Sequence, residues 1–501
     1  RDWAESMDWD WVISRQRIFA TPIPVWYCSS CNEPMVAEED ELPVIPWKDA
    51  PKRNCPRCGG NRFEPERDVL DTWMDSSITI AVHAGWPEID PRLYPADLQP
   101  NGTDIIRTWD YYLMVRHLAL LDSAPYRAVI INGMVVGPDG KKMSKSLGNY
   151  VDTTFARRKF GADALRQWAA LGATTGSDVP FSWKEVEFGY KFMRKLWNAV
   201  RFAAPYMAEA GRLDAKKLKF SSLDKWILSR LNRLVKEVTV ALDDFNFNLA
   251  LKKVQSFVWH EFCDMYIEGV KHRLYGGGEA ADAARATLFN VIFTVIKLLA
   301  PFIPHFAEEV YQTCFAEGGE KSVHLLSWPK ADESLVDEKA EAVGEVINTI
   351  VGALRKFKSE RRIALSQEIS KATICCFDER LRRIISSGME EIAGTIRIKE
   401  AEICGQLPDL VEKIKGVSLD YSRVGPKFRK DVKLLEEALG KMSSEDILEE
   451  LKEGKITIEI GEKKFILESN DLVVTRETEI SGRRVEKIDV ENLPVTVIVE
   501  I

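Results

Sequence analysis

The spacing of apolar and polar residues changes twice along this chain, and the changes divide it into regions. Between residues 67 and 150, short apolar runs alternate with turns. Residues 128–131 (Ala-Val-Ile-Ile) predict a buried strand, and the spacing over about Ile105–Leu121 predicts a helix. Because strands that alternate with helices are typical of a parallel sheet, this region predicts one half of a doubly wound α/β domain.

From about residue 186 to residue 316 the spacing becomes helical. Apolar residues recur two, three or four positions apart, with Lys and Arg between them, as at Trp226, Leu228, Leu231, Leu234 and Val238. This pattern predicts an all-α helical bundle, closed by Ser-Trp-Pro at 327–329.

The last part of the chain mixes both patterns. Its spacing predicts an amphipathic helix over 337–360, strands over 455–467 and 495–501, and charged helices over 431–441 and 445–455. We therefore predict four parts. They are an α/β half-domain over 1–150 with a small insert at 26–66, a connecting stem region over 151–185, a helical bundle over 186–330, and an α+β extension over 331–501.

The composition is that of a globular protein, with 45% hydrophobic and 29% charged residues among 501. No apolar run approaches the roughly 20 residues that a membrane span needs, so we expect no membrane partner. The net charge of -8 does not favour nucleic-acid binding by bulk attraction, and an RNA partner would need local basic patches. The nine cysteines form no dense framework, which favours a reducing, cytoplasmic location.

The insert carries the spacing of a metal knuckle. Cys28 and Cys31 form one C-x2-C pair, and Cys55 and Cys58 form a second. Two such pairs let four thiolates reach one ion from two tight turns, as in tetrahedral Zn²⁺ sites. Disulfides, or a knuckle that has lost its metal, are the alternatives. Because four protein ligands leave no open coordination position, we expect structural Zn²⁺ and no catalytic metal.

The most distinctive motif is the segment 140–149, GKKMSKSLGN, which follows the predicted strand. Lys142 and Lys145 place two flexible ammonium groups on a glycine-flanked loop, which suits a polyphosphate ligand. Loops outside the carboxyl ends of strands are where open α/β sheets bind ligands. A solvated basic surface loop is the alternative that these residues alone leave open.

Two further segments carry candidate ligand-binding residues. Residues 68–77 read DVLDTWMDSS, and residues 101–109 read NGTDIIRTW. Gly102 allows a ligand to approach the backbone closely, and Asp104 can either cap a helix or accept hydrogen bonds from a ribose diol. Ile105 and Trp109, four residues apart, would share one face of a regular helix.

These motifs, in this order and spacing, resemble class I aminoacyl-tRNA synthetases. The resemblance rests on DVLDTW, G-x-DIIRTW and INGMVVGPDGKKMSKSLGN, the last of which contains the KMSKS motif that binds ATP in that class. Within the class the motifs are most similar to valyl-tRNA synthetases of the archaeal type. Residues 105–109 depart from the Gln-x-Arg-Gly-Trp pattern of the isoleucyl relatives. The resemblance covers nearly the whole chain, with weaker motifs beyond about residue 330.

The resemblance implies a fold, an activity and a set of roles. Residues 1–150 would be the C-terminal half of the catalytic domain, and the activity would be that of a valine–tRNA ligase with valine, ATP (with Mg²⁺) and tRNA(Val) as partners. The implied roles are a valine side-chain pocket of Trp73, Ile105 and Trp109, ribose contacts by Gly102 and Asp104, adenine contacts by Asn132 and Met134, and triphosphate contacts by Lys142, Ser144 and Lys145.

Residues 186–330 resemble the anticodon-binding domain of the same class. The motifs are Asp-Lys-Trp at 224–226, Phe-Asn at 245–246 and Leu-Ala-Pro-Phe-Ile-Pro-His at 299–305, and most of these residues read as core and helix ends. A second set of side chains, Arg230, Arg233 and Lys236, can contact RNA phosphates or belong to a solvated face. The sequence leaves both interpretations open.

Two parts of the family pattern are absent from the sequence. It contains no His-x-Gly-His, which is the first ATP motif, and no editing domain, and it begins Arg-Asp-Trp without an initiator Met. We therefore expect a C-terminal portion or a split subunit that is inactive in adenylation without its N-terminal half. The alternatives are a portion of an isoleucyl- or leucyl-tRNA synthetase and, from another functional class, a non-catalytic zinc-containing tRNA-binding protein.

Overall fold

A computed structural model describes residues 5–6, 10–172, 175–208, 210, 213, 217–316, 320–452, 454–461, 463–480 and 482–500. Ile501, the last residue of the predicted strand 495–501, lies outside the described residues, as do the first four residues of the predicted 1–150 region. The chain divides into two compact units. Unit 1 comprises Arg1–Lys159, Trp168–Glu185 and Phe245–Asn248, and unit 2 comprises Phe160–Gln167, Val186–Asp244 and Leu249–Ile501. The four predicted domain boundaries stay predictions.

The strands of unit 1 form several small sheets. They are β1 (Ser14–Arg15), β2 (Val25–Cys28), β3 (Pro34–Val36), β4 (Phe63–Pro65), β5 (Val69–Leu70), β6 (Ala96–Gly102), β7 (Tyr126–Asn132), β8 (Val135–Val136) and β9 (Val179–Pro180). β2 lies between β3 and β4 in an antiparallel sheet, and β1 pairs with β5. β6 pairs with β7 and β8 with β9, and both pairs are parallel.

The predicted strand–helix–strand order is present in unit 1. The helices are α1 (Thr72–Ser76), α2 (Thr79–His83), α3 (Tyr111–Leu121) and α4 (Thr153–Phe160). Helix α3 follows a 3₁₀ turn at Thr103–Ile105 and a π-helical turn at Ile106–Asp110. It lies between β6 and β7 in the chain, as expected because two parallel strands need a crossover connection.

The predicted helical region folds into long helices. They are α6 (Trp183–Met207), α7 (Ser222–Asp243), α8 (Phe247–Ser256), a π-helical segment (Phe257–Tyr266), α9 (Ile267–Gly276), α10 (Gly278–Leu299) and α11 (Pro304–Cys314). Helix α5 (Ala162–Gly172) precedes them, in the predicted stem region. The five apolar positions on which the prediction rested, on α7, are all buried. Each buried side chain of this size contributes roughly 1.5–3 kcal/mol of transfer free energy. Among the described residues, no helix combines the length and apolar character that a membrane crossing requires.

The rest of unit 2 contains more strands than the sequence pattern predicted. Its elements are α12 (Glu338–Glu360), β10 (Ile369–Cys375), α13 (Glu379–Ser387), α14 (Met389–Ile396), β11 (Ile398–Cys404), β12 (Val411–Leu419), α15 (Tyr421–Phe428), α16 (Val432–Leu439), α17 (Ser444–Leu451), β13 (Lys455–Ile460), β14 (Lys463–Glu468), β15 (Leu472–Ile480), β16 (Arg483–Asp489) and β17 (Thr496–Glu500). Six of these strands form one sheet in the order β11-β10-β17-β16-β15-β12, in which β10 and β11 are parallel and the other pairs antiparallel.

Residues 420–471, which we call the C-terminal insert, lie in the chain between the paired strands β12 and β15. The insert contains α15, α16, α17 and the hairpin β13–β14, and its apolar residues form a core of their own together with the ends of β12 and β15. The run 455–467, predicted as one stretch of strand, is interrupted because Gly461 adopts a φ of +64° and turns the chain.

Candidate functional site

The carboxyl ends of two parallel strands bring Gly102 and Asn132 together. The register of β6 and β7 places these residues opposite each other, at the end of the sheet where open α/β sheets bind ligands. Met134 lies two residues beyond Asn132, and its backbone N–H donates to Oδ1 of Asp178 at 2.7 Å. Three of the residues predicted to contact the adenylate therefore lie at one end of the β6–β7 pair.

The carboxylate of Asp104 is exposed, and no hydrogen-bond donor contacts it among the described residues. It does not cap the helical segment that begins beside it, so the capping role left open by the sequence is not the one observed. A Cβ at Gly102 would lie 2.6 Å from Oδ1 of Asp104. Any side chain at position 102 would therefore displace this carboxylate from its observed position.

The two tryptophans of the predicted valine pocket lie on neighbouring elements, helix α1 and the π-helical turn, which are joined by a hydrogen bond. At the start of α1, the backbone N–H of Trp73 donates to Oδ1 of Asp71 at 3.2 Å. At the end of α1, the indole Nε1–H of Trp109 donates to the carbonyl oxygen of Ser76 at 3.1 Å. Because Ile105 and Trp109 fall in 3₁₀ and π-helical turns, the spacing of a regular α-helix does not apply to them. π-Helical turns are frequent at functional sites.

Asp71, which was not among the predicted site residues, accepts several hydrogen bonds in this region. Its Oδ2 accepts hydrogen bonds from Nη2 of Arg15 at 2.5 Å and from Nε1 of Trp11 at 3.1 Å. It also caps α1 through Trp73. An Asp placed two residues before the donating N–H is an N-cap signal, and this spacing could have singled out Asp71 from the sequence.

Residues 140–149 form a loop, which we call the KMSKS loop, and the side chain of its last residue, Asn149, fixes its conformation. Oδ1 of Asn149 accepts from the N–H of Ser144 at 2.8 Å. Its Nδ2 donates to Oδ1 of Asp139 at 3.1 Å and to the carbonyl oxygen of Lys142 at 3.2 Å. A Cβ at Gly137 would lie 2.9 Å from that Nδ2 and 2.7 Å from Asp139. The backbone of the loop is thus closed by one side-chain amide.

The ammonium groups of the loop remain available to a ligand. The side chains of Lys142 and Lys145 are exposed and have no carboxylate partner among the described residues. Nζ of Lys145 lies 5.5 Å from the centre of the Tyr150 ring, and the hydroxyls of Ser144 and Ser146 are 2.7 Å apart. Two unneutralised cations on a loop whose backbone is fixed suit an anionic ligand.

The four cysteines of the insert converge on one point. Their Sγ atoms all lie within 4.8 Å of one another. Sγ of Cys28 is 3.5 Å from that of Cys58, and Sγ of Cys31 is 3.6 Å from that of Cys55. A tetrahedral ion with Zn–S bonds of about 2.3 Å requires S–S edges of roughly 3.8 Å. The donor set and its size therefore fit a single Zn²⁺.

The thiols differ in acidity. The backbone N–H of Ser30 lowers the pKa of the Cys28 thiol to about 6. At Cys31 the N–H of Glu33 also favours the thiolate, but burial and the neighbouring cysteine thiols outweigh it and raise the pKa to about 12. An ion bound by all four sulfurs must displace the protons of the thiols, because the thiolate is the metal ligand.

The three candidate phosphate contacts of the bundle each form an ion pair with a glutamate of the protein. Arg230 forms two hydrogen bonds with the carboxylate of Glu261, at 2.7 and 3.0 Å. Nε of Arg233 lies 2.7 Å from Oε1 of Glu341. Nζ of Lys236 lies 2.8 Å from Oε1 of Glu333. These pairs add a third possibility, intramolecular ion pairing, to the two that the sequence left open.

Two motif residues of the bundle belong to its core and to a helix end. Asp224 and Trp226 are buried. Asp224 accepts two hydrogen bonds from Arg273, at 2.7 and 2.8 Å, and one from the hydroxyl of Tyr266 at 2.7 Å. It also accepts the N–H of Ser221, which caps α7. For Asp224 and Trp226 this confirms the prediction, which was that most of the motif residues are core and helix ends.

Comparison with protein families matches two parts of the chain. Residues 2–182 match the family of class I tRNA synthetases (I, L, M and V), and residues 224–374 match the anticodon-binding domain of tRNA ligases. A leucyl enzyme from Agrobacterium radiobacter K84, solved as a LeuRS–tRNA–LeuAMS complex, shares the fold with a TM-score of 0.54 at 24% identity. The match covers 65% of this chain and 44% of that one.

Similar curated proteins are named valine–tRNA ligases. The chain is 45% identical to that of Methanothermobacter thermautotrophicus, 44% to that of Methanosarcina barkeri and 43% to that of Pyrococcus horikoshii. These matches cover 98–99% of this chain but only 54–56% of each relative, so the chain spans about half the length of the curated relatives it matches. The chain is therefore homologous, over nearly its whole length, to about half of the archaeal valine–tRNA ligases, and it carries regions that match the class I tRNA synthetase family and the anticodon-binding domain.

Proposed function

We propose that this chain carries one part of the active site of a valine–tRNA ligase. The observation that carries the proposal is the pair of exposed lysines, Lys142 and Lys145, on a loop fixed by Asn149. The relatives supply the specificity, since they are named valine–tRNA ligases. Because His-x-Gly-His does not occur in the sequence, we propose that adenylation also needs a segment that supplies this motif.

The first chemical step joins valine to ATP. The valine carboxylate attacks the α-phosphorus, and pyrophosphate leaves. Lys142 and Lys145 would stabilise the negative charge that builds up on the leaving group, and Mg²⁺ would accompany ATP as part of the substrate. Ser144 would add a hydroxyl contact to the same phosphates. The enzyme's contribution is chiefly positioning and charge stabilisation.

The adenylate and the amino acid would lie at the carboxyl ends of β6 and β7. The unpaired carboxylate of Asp104 would accept hydrogen bonds from the ribose diol, while Gly102 lets the backbone approach it. Asn132 and Met134 would lie near the adenine. The pocket for the valine side chain would be formed by Trp73, Ile105 and Trp109. A hydrophobic pocket of this kind rejects threonine only weakly, because threonine has nearly the shape of valine.

The second step transfers valine to the terminal adenosine of tRNA(Val). The match of residues 224–374 to an anticodon-binding domain supports a tRNA partner. We propose structural Zn²⁺ at Cys28, Cys31, Cys55 and Cys58, and the usual cytoplasmic location of these enzymes. The four predicted domain boundaries are part of the same proposal.

Lys145→Ala tests the catalytic role of the loop. The variant, combined with a polypeptide that supplies His-x-Gly-His, should lose valine-dependent ATP–pyrophosphate exchange by two orders of magnitude or more, of the size seen when one donor that stabilises the transition state is removed. Lys141→Ala, on the same loop, is the matched control and should stay active. Isoleucine and leucine, run in parallel, distinguish the related specificities. Unchanged aminoacylation by Lys145→Ala would favour the non-catalytic tRNA-binding alternative.

The zinc proposal has a separate test. One equivalent of Zn²⁺ should copurify with the chain, and Cys58→Ser should lose most of it. Cys314→Ser, outside the cluster, should retain it. Binding of Zn²⁺ to the metal-free protein should release protons, because protonated thiols must become thiolates. Zinc retained equally by both variants would contradict the proposal.

A further inference from the structure

A short stretch of the C-terminal insert concentrates positive charge. Residues 423–433, which we call the basic segment, contain Arg423, Lys427, Arg429, Lys430 and Lys433 but one acidic residue, Asp431. The five basic side chains are all exposed. The stretch therefore has a strong local positive charge within a chain whose net charge is -8.

The carboxylates around the basic segment are already engaged. Nζ of Lys463 lies 2.9 Å from Oδ1 of Asp431. Nζ of Lys427 lies 2.7 Å from Oδ1 of the buried Asp471. Asp420 caps α15 through the N–H of Ser422 at 2.9 Å. The acidic groups therefore do not neutralise the remaining cations of the segment.

Three cations of the segment are left without partners. Among the described residues, no carboxylate lies within 4.0 Å of Arg429, Lys430 or Lys433. This includes Glu437, which stands four positions after Lys433 on α16. Three basic residues of the bundle behave differently, since Arg230, Arg233 and Lys236 are each paired with Glu.

Lys433 lies where a positive charge does not stabilise the fold, whereas Arg429 is the C-cap residue of α15. Lys433 is in the first turn of α16, and Arg429 and Lys430 lie in the 3₁₀ turn that leads into it. The amino end of a helix carries partial positive charge, so cations there are unfavourable. The apolar residues that hold the insert together, such as Leu435 and Leu439, are elsewhere on the same helix. Lys433 thus costs stability unless it meets an external anion.

We propose that Arg429, Lys430 and Lys433 form a contact surface for the phosphate backbone of tRNA. The inference rests on the proposed function and deepens it, because it gives the C-terminal insert a part in binding the RNA. Exposed, unpaired Arg and Lys supply the sequence-independent part of RNA binding by displacing counterions from phosphates. Such contacts position the RNA without reading its bases.

The test compares two triple variants of the full chain. Arg429→Gln, Lys430→Gln and Lys433→Gln together remove the proposed surface. The matched control combines Lys413→Gln, Lys415→Gln and Arg476→Gln, which removes the same charge from cations that are paired with Glu on β12 and β15. Affinities for tRNA(Val) and for an unrelated tRNA are measured from about 50 to 200 mM KCl, the range over which phosphate binding weakens steeply.

The logarithm of the association constant falls linearly with the logarithm of the salt concentration, and the magnitude of this slope should decrease by about 3 in the first variant. The decrease is about one for each phosphate that is no longer neutralised, and it should be the same for both tRNAs. The control should keep the slope of the wild type, and the first variant should unfold at an unchanged or higher urea concentration. An unchanged slope, or an equal decrease in the control, would overturn the inference alone. Absence of tRNA binding by the wild type would overturn the proposed tRNA partner as well. If the first variant loses binding to phosphatidylserine vesicles but still binds tRNA like the wild type, the RNA-contact inference would be overturned in favour of a membrane surface.

Discussion

The helical bundle and the basic segment both display arginine and lysine, yet three cations in each region differ in whether they have a partner within the protein. In the bundle, Arg230 and Arg233 are held by Glu261 and Glu341. In the basic segment, Arg429 has no carboxylate partner among the described residues. The density of basic residues therefore does not locate an RNA surface in this molecule. What distinguishes the two regions is whether the partner of each cation lies within the protein.

The bundle shows the extreme of internal pairing. Asp224 and Arg273 are both buried and joined by two hydrogen bonds. Removing one member of such a pair leaves an uncompensated charge in the interior, which costs more than the pair contributes. Charges of the bundle should therefore matter for stability, and charges of the basic segment for binding.

The largest expected effect is that of Asp224→Ala. The change leaves the guanidinium of Arg273 and the hydroxyl of Tyr266 without their buried acceptor, and we expect a loss of about 3–5 kcal/mol in the free energy of unfolding. Urea unfolding followed by far-UV circular dichroism measures it. The double variant with Arg273→Met should recover part of the loss, because no isolated charge remains. A loss below about 1 kcal/mol would contradict the importance of this pair.

A smaller effect is expected for Glu341→Gln. Glu341 accepts hydrogen bonds from the hydroxyl of Ser229 at 2.5 Å and from Arg233 at 2.7 Å. Losing its charge should lower the free energy of unfolding by about 1–3 kcal/mol. The same urea experiment measures this, with Glu345→Gln, an exposed residue on the same helix, as control. A stability equal to that of the wild type would show that the bundle tolerates unpaired cations.

Lowering the pH should reduce the free energy of unfolding, in part because Glu341 becomes protonated. Although burial opposes ionisation, the Ser229 hydroxyl and the Arg233 guanidinium lower the pKa of Glu341 below its usual value. A pKa that is lower in the folded than in the unfolded state adds stability above the unfolded pKa, and this stability is lost as the pH falls through the folded pKa. Unfolding midpoints measured from pH 7 to pH 3 should fall less steeply in Glu341→Gln than in the wild type. Parallel curves would refute this assignment.

The smallest effect on stability is expected for Lys430→Gln. This side chain is exposed and makes no ion pair with a described residue, so the free energy of unfolding should change by less than about 0.5 kcal/mol. Its salt-dependent tRNA binding should nevertheless change, with the slope reduced by about 1. If Lys430→Gln greatly lowered the free energy of unfolding but left the salt dependence of tRNA binding unchanged, Lys430 would serve stability and not binding, contrary to the difference proposed between the two regions.

Much of the secondary structure followed from local pattern. The helix predicted over 337–360 is present as Glu338–Glu360, and the strand predicted over 128–131 lies within Tyr126–Asn132. The strands β10, β11, β12, β15 and β16 were not predicted. The pairing of β12 with β15 joins residues separated by the whole C-terminal insert, and the periodicity of a short strand does not reveal such a distant partner.

The sequence by itself determined the features whose chemistry is local. The KMSKS loop and the two C-x2-C pairs are recognisable because a few adjacent residues carry the whole signal. Only the tertiary structure decided that Asn149 closes the loop, that the four thiols meet, and which cations stay unpaired. The partners of Arg230, Lys236 and Arg233 lie 31, 97 and 108 residues away in the chain. Such distances leave no local pattern, because a charge is neutralised by its neighbours in space and not by those in sequence.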